Sequence, residues 1–180
     1  MLPIVIDPQY LKVLVSGDGP ATKNRLKMLE DAGVTQVKYV RGEPNEGDFE
    51  EVNIAYIADF DDKTSERIAK VARSKNIILN IEDKKKFCDF HVPSIVRQGD
   101  LLVTISTAGK SPRVARRFRM MFEKVFSKDW KKGLLEIGKL REKWKSEGDS
   151  YVELAAKTDD YIAKKGLMKD FCDKCQENSI

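Results

Sequence analysis

Lys12-Val13-Leu14-Val15-Ser16-Gly17-Asp18-Gly19-Pro20-Ala21-Thr22 is the stretch that decides the fold. Lys12–Val15 opens a short apolar strand, and residues 17–22 supply a tight turn. Leu26, Leu29 and Ala32 then recur on one face at helical spacing. Gly17-Asp18-Gly19-x-x-Thr22 follows the dinucleotide-binding fingerprint, with threonine in the place of the third glycine. In that pattern the first glycine permits the turn and the second lets the backbone approach a pyrophosphate. The third position need only be small enough for helix and strand to pack closely. The N-terminus of the following helix would attract the anion through its free N–H groups. Strand–glycine–helix turns also occur without ligands, so the motif alone leaves both readings open.

Outward from this turn, Gly33 caps the helix and Val34–Val40 reads as a second strand. Residues 41–51 are acidic and turn-rich. Val52–Ala58 forms a third strand ending in Asp59-Phe60-Asp61-Asp62, and a helix follows with Ile68, Val71 and Ala72 facing inward. Ile77–Ile81 and Leu101–Ile105 are the fourth and fifth strands. Strands alternating with helices of this length predict an α/β fold, a Rossmann-like parallel sheet. Ser111 and Pro112 start another helix, whose apolar stripe runs through Val114, Ala115, Phe118, Met121, Phe122, Val125 and Phe126. Charged helical sequence follows, broken at Gly148-Asp149. The expected organisation is a nucleotide-binding domain at 1–111 and a helical tail at 112–180. The tail's stripe needs a partner surface, for which a second copy of the chain is a simple candidate.

The chain has 180 residues, 41% hydrophobic and 34% charged, which is long enough for one substantial core and a smaller appendage. No run of apolar residues is long enough to span a membrane, and the N-terminus lacks the marks of a signal peptide. Cys88, Cys172 and Cys175 are too few for a disulfide framework, which suggests a reducing, cytoplasmic setting. The net charge of +4 is unevenly spread: residues 1–83 carry −4, residues 84–126 carry +7 and residues 127–180 carry +1. The middle excess implies an anionic partner. Nucleic acid is disfavoured, because no interleaved aromatic residues or known motif accompany the basic face.

Residues 80–119 narrow the choice. They read Asn-Ile-Glu-Asp at 80–83, Cys-Asp-Phe-His-Val-Pro-Ser-Ile-Val at 88–96, Ile-Ser-Thr-Ala-Gly-Lys-Ser-Pro at 105–112 and Arg-Val-Ala-Arg-Arg-Phe-Arg at 113–119. With Leu2-Pro3-Ile4, the glycine loop and Ala58-Asp59-x-Asp61-Asp62 in order, this text resembles the precorrin-2 dehydrogenase / sirohydrochlorin ferrochelatase family, the N-terminal module of siroheme synthases. The resemblance covers residues 1–126 well and the remainder by helical character alone. It implies NAD-dependent oxidation of precorrin-2 to sirohydrochlorin, with insertion of Fe2+ as a further activity of some members. It also implies that Asp83 is the acid/base group, which suits a reaction that must move a proton along with a hydride.

The expected cofactor contacts are Gly17, Asp18, Gly19, Pro20 and Ala21 in the loop, Arg41 and Gly42 after the second strand, and Asp59 and Phe60 after the third. An acidic residue usually ends the second strand of an NAD site. Arg41 stands there instead, either to meet the 2′-phosphate of NADP or as a solvated loop arginine. For the substrate, an eight-fold carboxylate, Thr107, Lys110, Arg113, Arg116 and Arg117 are the expected contacts. The three arginines share a helix face at i, i+3 and i+4. Thr107 either bonds a substrate carboxylate or closes its own turn, and Ala108 occupies a place where the family usually has glycine. His91 is expected to be partly buried and hydrogen-bonded, and Cys88 to pack as a small apolar residue. Cys172-x-x-Cys175 is half of a metal site, and no metal ligand set is assigned. A competing class is a non-catalytic nucleotide- or tetrapyrrole-binding protein, motivated by Thr22, Ala108 and the short 41–51 segment.

Overall fold

Alternating apolar strands and amphipathic helices build the first half of the chain. The computed structural model describes residues 2–168. Strand β1 (Lys12–Gly17) is followed by helix α1 (Pro20–Asp31), β2 (Gln36–Arg41), β3 (Ile54–Ile57), helix α2 (Asp62–Ser74) and β4 (Ile78–Ile81). The four strands are parallel, in the order β2-β1-β3-β4. This is the expected Rossmann-like arrangement. Chain order reverses beside β1, because β2 lies on one flank and β3 on the other. The crevice between the carboxyl ends of β1 and β3 is therefore the switch point, where open α/β sheets bind ligands.

Burial follows from this topology. Strands β1 and β3, each with two neighbours, are buried on both faces beyond Lys12, whereas edge strand β2 is exposed at every position but Val37 and Val40. Leu14, Ala55, Ile57, Leu79 and Ile81 pack with Ile68, Ala69 and Ala72 of α2 on one face of the sheet. Val13, Val15, Ile54 and Tyr56 pack with Leu29 and Leu26 from α1 on the other. The period of two along each strand thus feeds two cores, one per helix.

The second half forms a separate compact unit, the division falling between Val92 and Pro93. It contains strands β5 (Ser94–Gln98) and β6 (Leu101–Ile105), then helices α3 (Pro112–Val125), α4 (Asp129–Ser146) and α5 (Tyr151–Lys165). Leu101–Ile105, expected as a fifth parallel strand, instead pairs antiparallel with β5 in its own two-stranded sheet. The reason is the connection: only Gly99-Asp100 separates the strands, with Gly99 at φ +64°, and so short a loop can only make a hairpin. This pairing puts the division of the chain well before the expected 111/112 boundary.

Helix α3 starts as its sequence indicates. The Ser111 hydroxyl accepts from the Val114 amide at 3.3 Å, and Pro112 occupies the first turn. Ala115 of its apolar stripe is buried, but Val114, Phe118 and Met121 are exposed at 42–47%. Phe118, Phe122, Phe126 and Trp130 continue as a ladder of ring contacts into α4. Between α4 and α5, Gly148 takes φ +95°, and the Ser150–Glu153 capping box then starts α5. Cys172 and Cys175 lie outside the described residues.

Candidate functional site

The glycine loop is built by close approach. Gly17 ends β1 at φ +140°, a conformation in which a side chain is strained. A Cβ there would also lie 2.5 Å from the Ala58 carbonyl oxygen and collide with Thr22 Oγ1. The threonine in the third fingerprint position is thus accommodated because the first position has no side chain. Ser16, fully buried, donates its hydroxyl to the Gly42 carbonyl at 2.7 Å, which ties the end of β1 to the turn after β2. Arg41 is exposed and pairs with Asp18 at 2.8 Å, so these two expected cofactor contacts are engaged with each other. The Asp18 carboxylate raises the Arg41 pKa further through its hydrogen bond.

Asp59 lies two residues past the end of β3 and reaches back over this loop. It adopts φ +69°, a left-handed conformation that aspartate tolerates better than most residues. Its Oδ2 accepts from the Gly19 amide at 2.8 Å and from the Thr22 hydroxyl at 2.7 Å. A Cβ on Gly19 would fall within 2.6 Å of both carboxylate oxygens. Glycine at 19 therefore gives the Asp59 carboxylate, in this conformation, the close approach that the fingerprint gives a pyrophosphate. Phe60 is half-buried and packs toward the α2 core. Asp61 caps α2 by accepting from the Thr64 amide at 2.7 Å, a bond that lowers its pKa.

Asp83 sits just past the carboxyl end of β4, on the same edge of the sheet. It too is left-handed, at φ +59°, but its carboxylate is exposed and has no hydrogen bond or ion pair among the described residues. The segment around it is anchored from both sides. Glu82 pairs with Arg25 of α1, and Lys84 and Lys86 both pair with Asp62, whose pKa these bonds lower to about 2. Residues 88–90 fold back along β4. Asp89 accepts from the Leu79 amide at 3.0 Å and from Arg73 at 3.1 Å, and Asn80 donates to the Phe90 carbonyl at 2.9 Å. The Ile81 amide donates to Cys88 Sγ at 3.2 Å. Burial pushes the Cys88 thiol pKa up, and its sulfur also donates to the Ile81 carbonyl at 3.1 Å. Arg73 and Asp89, which tie this segment to α2 and β4, are absent from the expected site residues. Their sole signal, sixteen positions apart, is an opposite-charge pair on two elements that only the fold brings together. His91, expected to be partly buried, is exposed.

In the second unit, Thr107 closes its own turn. Its hydroxyl donates to the Ser111 carbonyl and accepts from the Ser111 amide, both at 3.1 Å. Ala108 has φ +53°, so alanine here does adopt the conformation that glycine would take more readily. Lys110, Arg113, Arg116 and Arg117 are exposed and form no ion pair among the described residues, whereas Arg119 pairs with Glu123 at 3.0 Å. A shallow 640 Å³ depression bordered by Lys23, Leu26, Glu30 and Val37 lies along α1 and β2 and carries none of the expected chemistry.

The backbone of the first unit fits a dinucleotide: a bare glycine turn at the switch point of a parallel sheet, opening a helix. The Asp59 carboxylate is set against it. Among the described residues, no group of His, Cys, Asp and Glu is arranged to hold a metal ion, and no helix is long and apolar enough to cross a membrane.

Comparison with known proteins bears on this geometry. A family model described as putative NAD(P)-binding matches residues 33–94, which include Asp59 and Asp83. Siroheme synthase 2 of Cronobacter sakazakii is 26% identical over 163 residues, covering 80% of this chain and 36% of that protein. The siroheme synthase of Nitrosococcus oceani is 29% identical over 142 residues, covering 68% and 30% respectively. The chain thus spans about a third of the length of the curated relatives it matches. Among solved structures, the precorrin-2 dehydrogenase SirC shares the fold with a TM-score of 0.68 at 17% identity, over 90% of this chain and 89% of that one. These matches show a likeness in sequence to part of the siroheme synthases and a fold shared with a precorrin-2 dehydrogenase.

Proposed function

We propose that the chain oxidises precorrin-2 to sirohydrochlorin with NAD+, in the synthesis of siroheme or a related tetrapyrrole. The observation that carries this reading is the pair of elements on one sheet edge. A glycine turn fit for a dinucleotide follows β1, and an exposed, unengaged carboxylate, Asp83, follows β4. When bound, the nicotinamide supplies the hydride acceptor. The protein's part is to hold the dinucleotide backbone at Gly17–Ala21 and to take the proton released from the ring system on an Asp83 oxygen. Asp83 suits this task because no cation or amide of the described residues competes for its lone pairs. The anchors at Glu82, Lys84 and Asp89 fix the backbone from which it projects.

In the second unit, Lys110, Arg113, Arg116 and Arg117, which form no ion pair among the described residues, supply cations suited to the acetate and propionate arms of the substrate. With its hydroxyl engaged by Ser111, Thr107 serves this region by fixing the turn. The exposed face at Val114, Phe118 and Met121 supports a homodimer built on α3, which sedimentation at micromolar concentration would test.

The decisive assay supplies freshly prepared precorrin-2 and NAD+ and follows NADH together with the sirohydrochlorin spectrum. Turnover supports the reading. Binding of either ligand without turnover would support a non-catalytic tetrapyrrole- or nucleotide-binding protein, a reading favoured by the Asp59 carboxylate over the glycine loop. Ferrochelatase activity is a separate proposal, with Fe2+ as substrate. It is tested with sirohydrochlorin under anaerobic conditions against the spontaneous rate.

A further inference from the structure

We propose that Asp59 is a built-in competitor for the cofactor: its carboxylate takes the anion seat of the glycine loop and must leave that seat for a dinucleotide pyrophosphate to enter. The inference rests on the reading of this loop as a dinucleotide site. Three observations carry it. The Gly19 amide, the donor freed for an anion by the loop geometry, is committed to Asp59 Oδ2 at 2.8 Å. The bare face of Gly19, which a pyrophosphate needs for close approach, is covered by the same carboxylate. The Thr22 hydroxyl, the first side-chain donor inside α1, is bound to it as well at 2.7 Å.

The donors that remain at the start of α1 are the backbone amides of Ala21 and Thr22. Pro20 has no amide hydrogen, so the first turn of α1 offers one donor fewer than usual. Arg41, the nearest loop cation in sequence reach, is paired with Asp18. An incoming pyrophosphate would therefore meet a negative charge where a Rossmann loop ordinarily presents N–H groups. The left-handed backbone at Asp59 makes the arrangement testable, because asparagine and glycine both adopt φ near +69° with little strain.

The test titrates the full chain with inorganic pyrophosphate and with NAD+ in a calorimeter, comparing the native protein with Asp59→Asn and Asp59→Gly. Asparagine keeps a hydrogen-bond acceptor for Gly19 and Thr22 while removing the charge, and glycine empties the seat. Both variants should bind pyrophosphate and NAD+ at least tenfold more tightly than the native chain, glycine most. If NAD+ binds all three proteins equally, or the variants more weakly, the loop is a cofactor site and the competition is overturned. If pyrophosphate tightens on the variants but NAD+ binds none of them, the competition stands and the dehydrogenase reading falls. If neither ligand binds any of the three, both fall.

Discussion

Asp59 and Asp83 are nearly the same local object. Each lies two residues past the end of a buried parallel strand, each has a left-handed backbone, at φ +69° and +59°, and each stands on the carboxyl edge of one sheet. Their fates are opposite. Asp59 faces a glycine loop whose amide and threonine hydroxyl capture it, whereas Asp83 is exposed and meets no donor among the described residues. The difference lies in the neighbours. The end of β3 borders the switch point, where β1 delivers N–H groups, while β4 is the last strand of the sheet and its far side is not covered by another strand. A carboxylate at a strand end is thus held or left exposed according to which strand it follows.

The sharpest break of that contrast is Asp83→Asn. If the free carboxylate is the proton acceptor, turnover should fall by about 10²–10⁴-fold. NAD+ affinity should be unchanged, since asparagine accepts the same backbone conformation. Steady-state rates and a calorimetric NAD+ titration check both halves, and undiminished turnover would remove Asp83 from the mechanism.

On the latched side, Gly17→Ala should destabilise the chain by about 1–3 kcal/mol from its positive φ alone. The new Cβ would also press on Thr22 and the Ala58 carbonyl, which position Asp59. Urea denaturation measures the loss. On the free side, Asp89→Ala should cost about 1–3 kcal/mol, because the Leu79 amide and Arg73 both lose their acceptor. Its distinguishing effect is on the turn bearing Asp83, where amide exchange should accelerate while the Gly19 region stays protected. Uniform acceleration would mean that the two strand ends are not independently anchored. In the second unit, Ala108→Gly relieves a comparable left-handed residue that carries no functional side chain and should stabilise by about 1 kcal/mol.

The contrast also marks what could be read from sequence. The turn at 17–22, the placement of Asp83 after β4 and the Ser111 cap are written in adjacent residues, and all three are found where the sequence puts them. The Asp59 latch spans forty positions to Gly19, and the Asp89–Arg73 pair joins a loop to a helix. No periodicity encodes such contacts, because they arise when the sheet closes. The β5–β6 hairpin was legible in principle, since Gly99-Asp100 between apolar runs is a turn signal. It was obscured because Leu101–Ile105 alone is as apolar as a buried parallel strand. The α3 stripe shows a further gap: its periodicity identifies a helix and a face, but not whether that face is covered within one chain, and Val114, Phe118 and Met121 are not.

The smallest expected effect is one of pH. Asp62 holds Lys84 and Lys86, the residues immediately beyond Asp83, and these bonds lower its pKa from 3.8 to about 2. A depressed carboxylate pKa means that the folded state favours the ionised form. The pair's contribution is therefore fully present above about pH 4 and is lost as the pH falls through 2. Asp62→Asn should lower the melting temperature slightly at pH 6, and the gap from the native protein should narrow steadily as the pH falls through 2. The effect ranks last because Asp62 is exposed and its ion pairs are screened by solvent and salt. Raising the salt concentration at pH 6 should shrink the same gap. A gap that narrows neither at low pH nor in high salt would mean that Asp62 acts through the first turn of α2, and that the Asp83 turn owes its position to Glu82 and Asp89 instead.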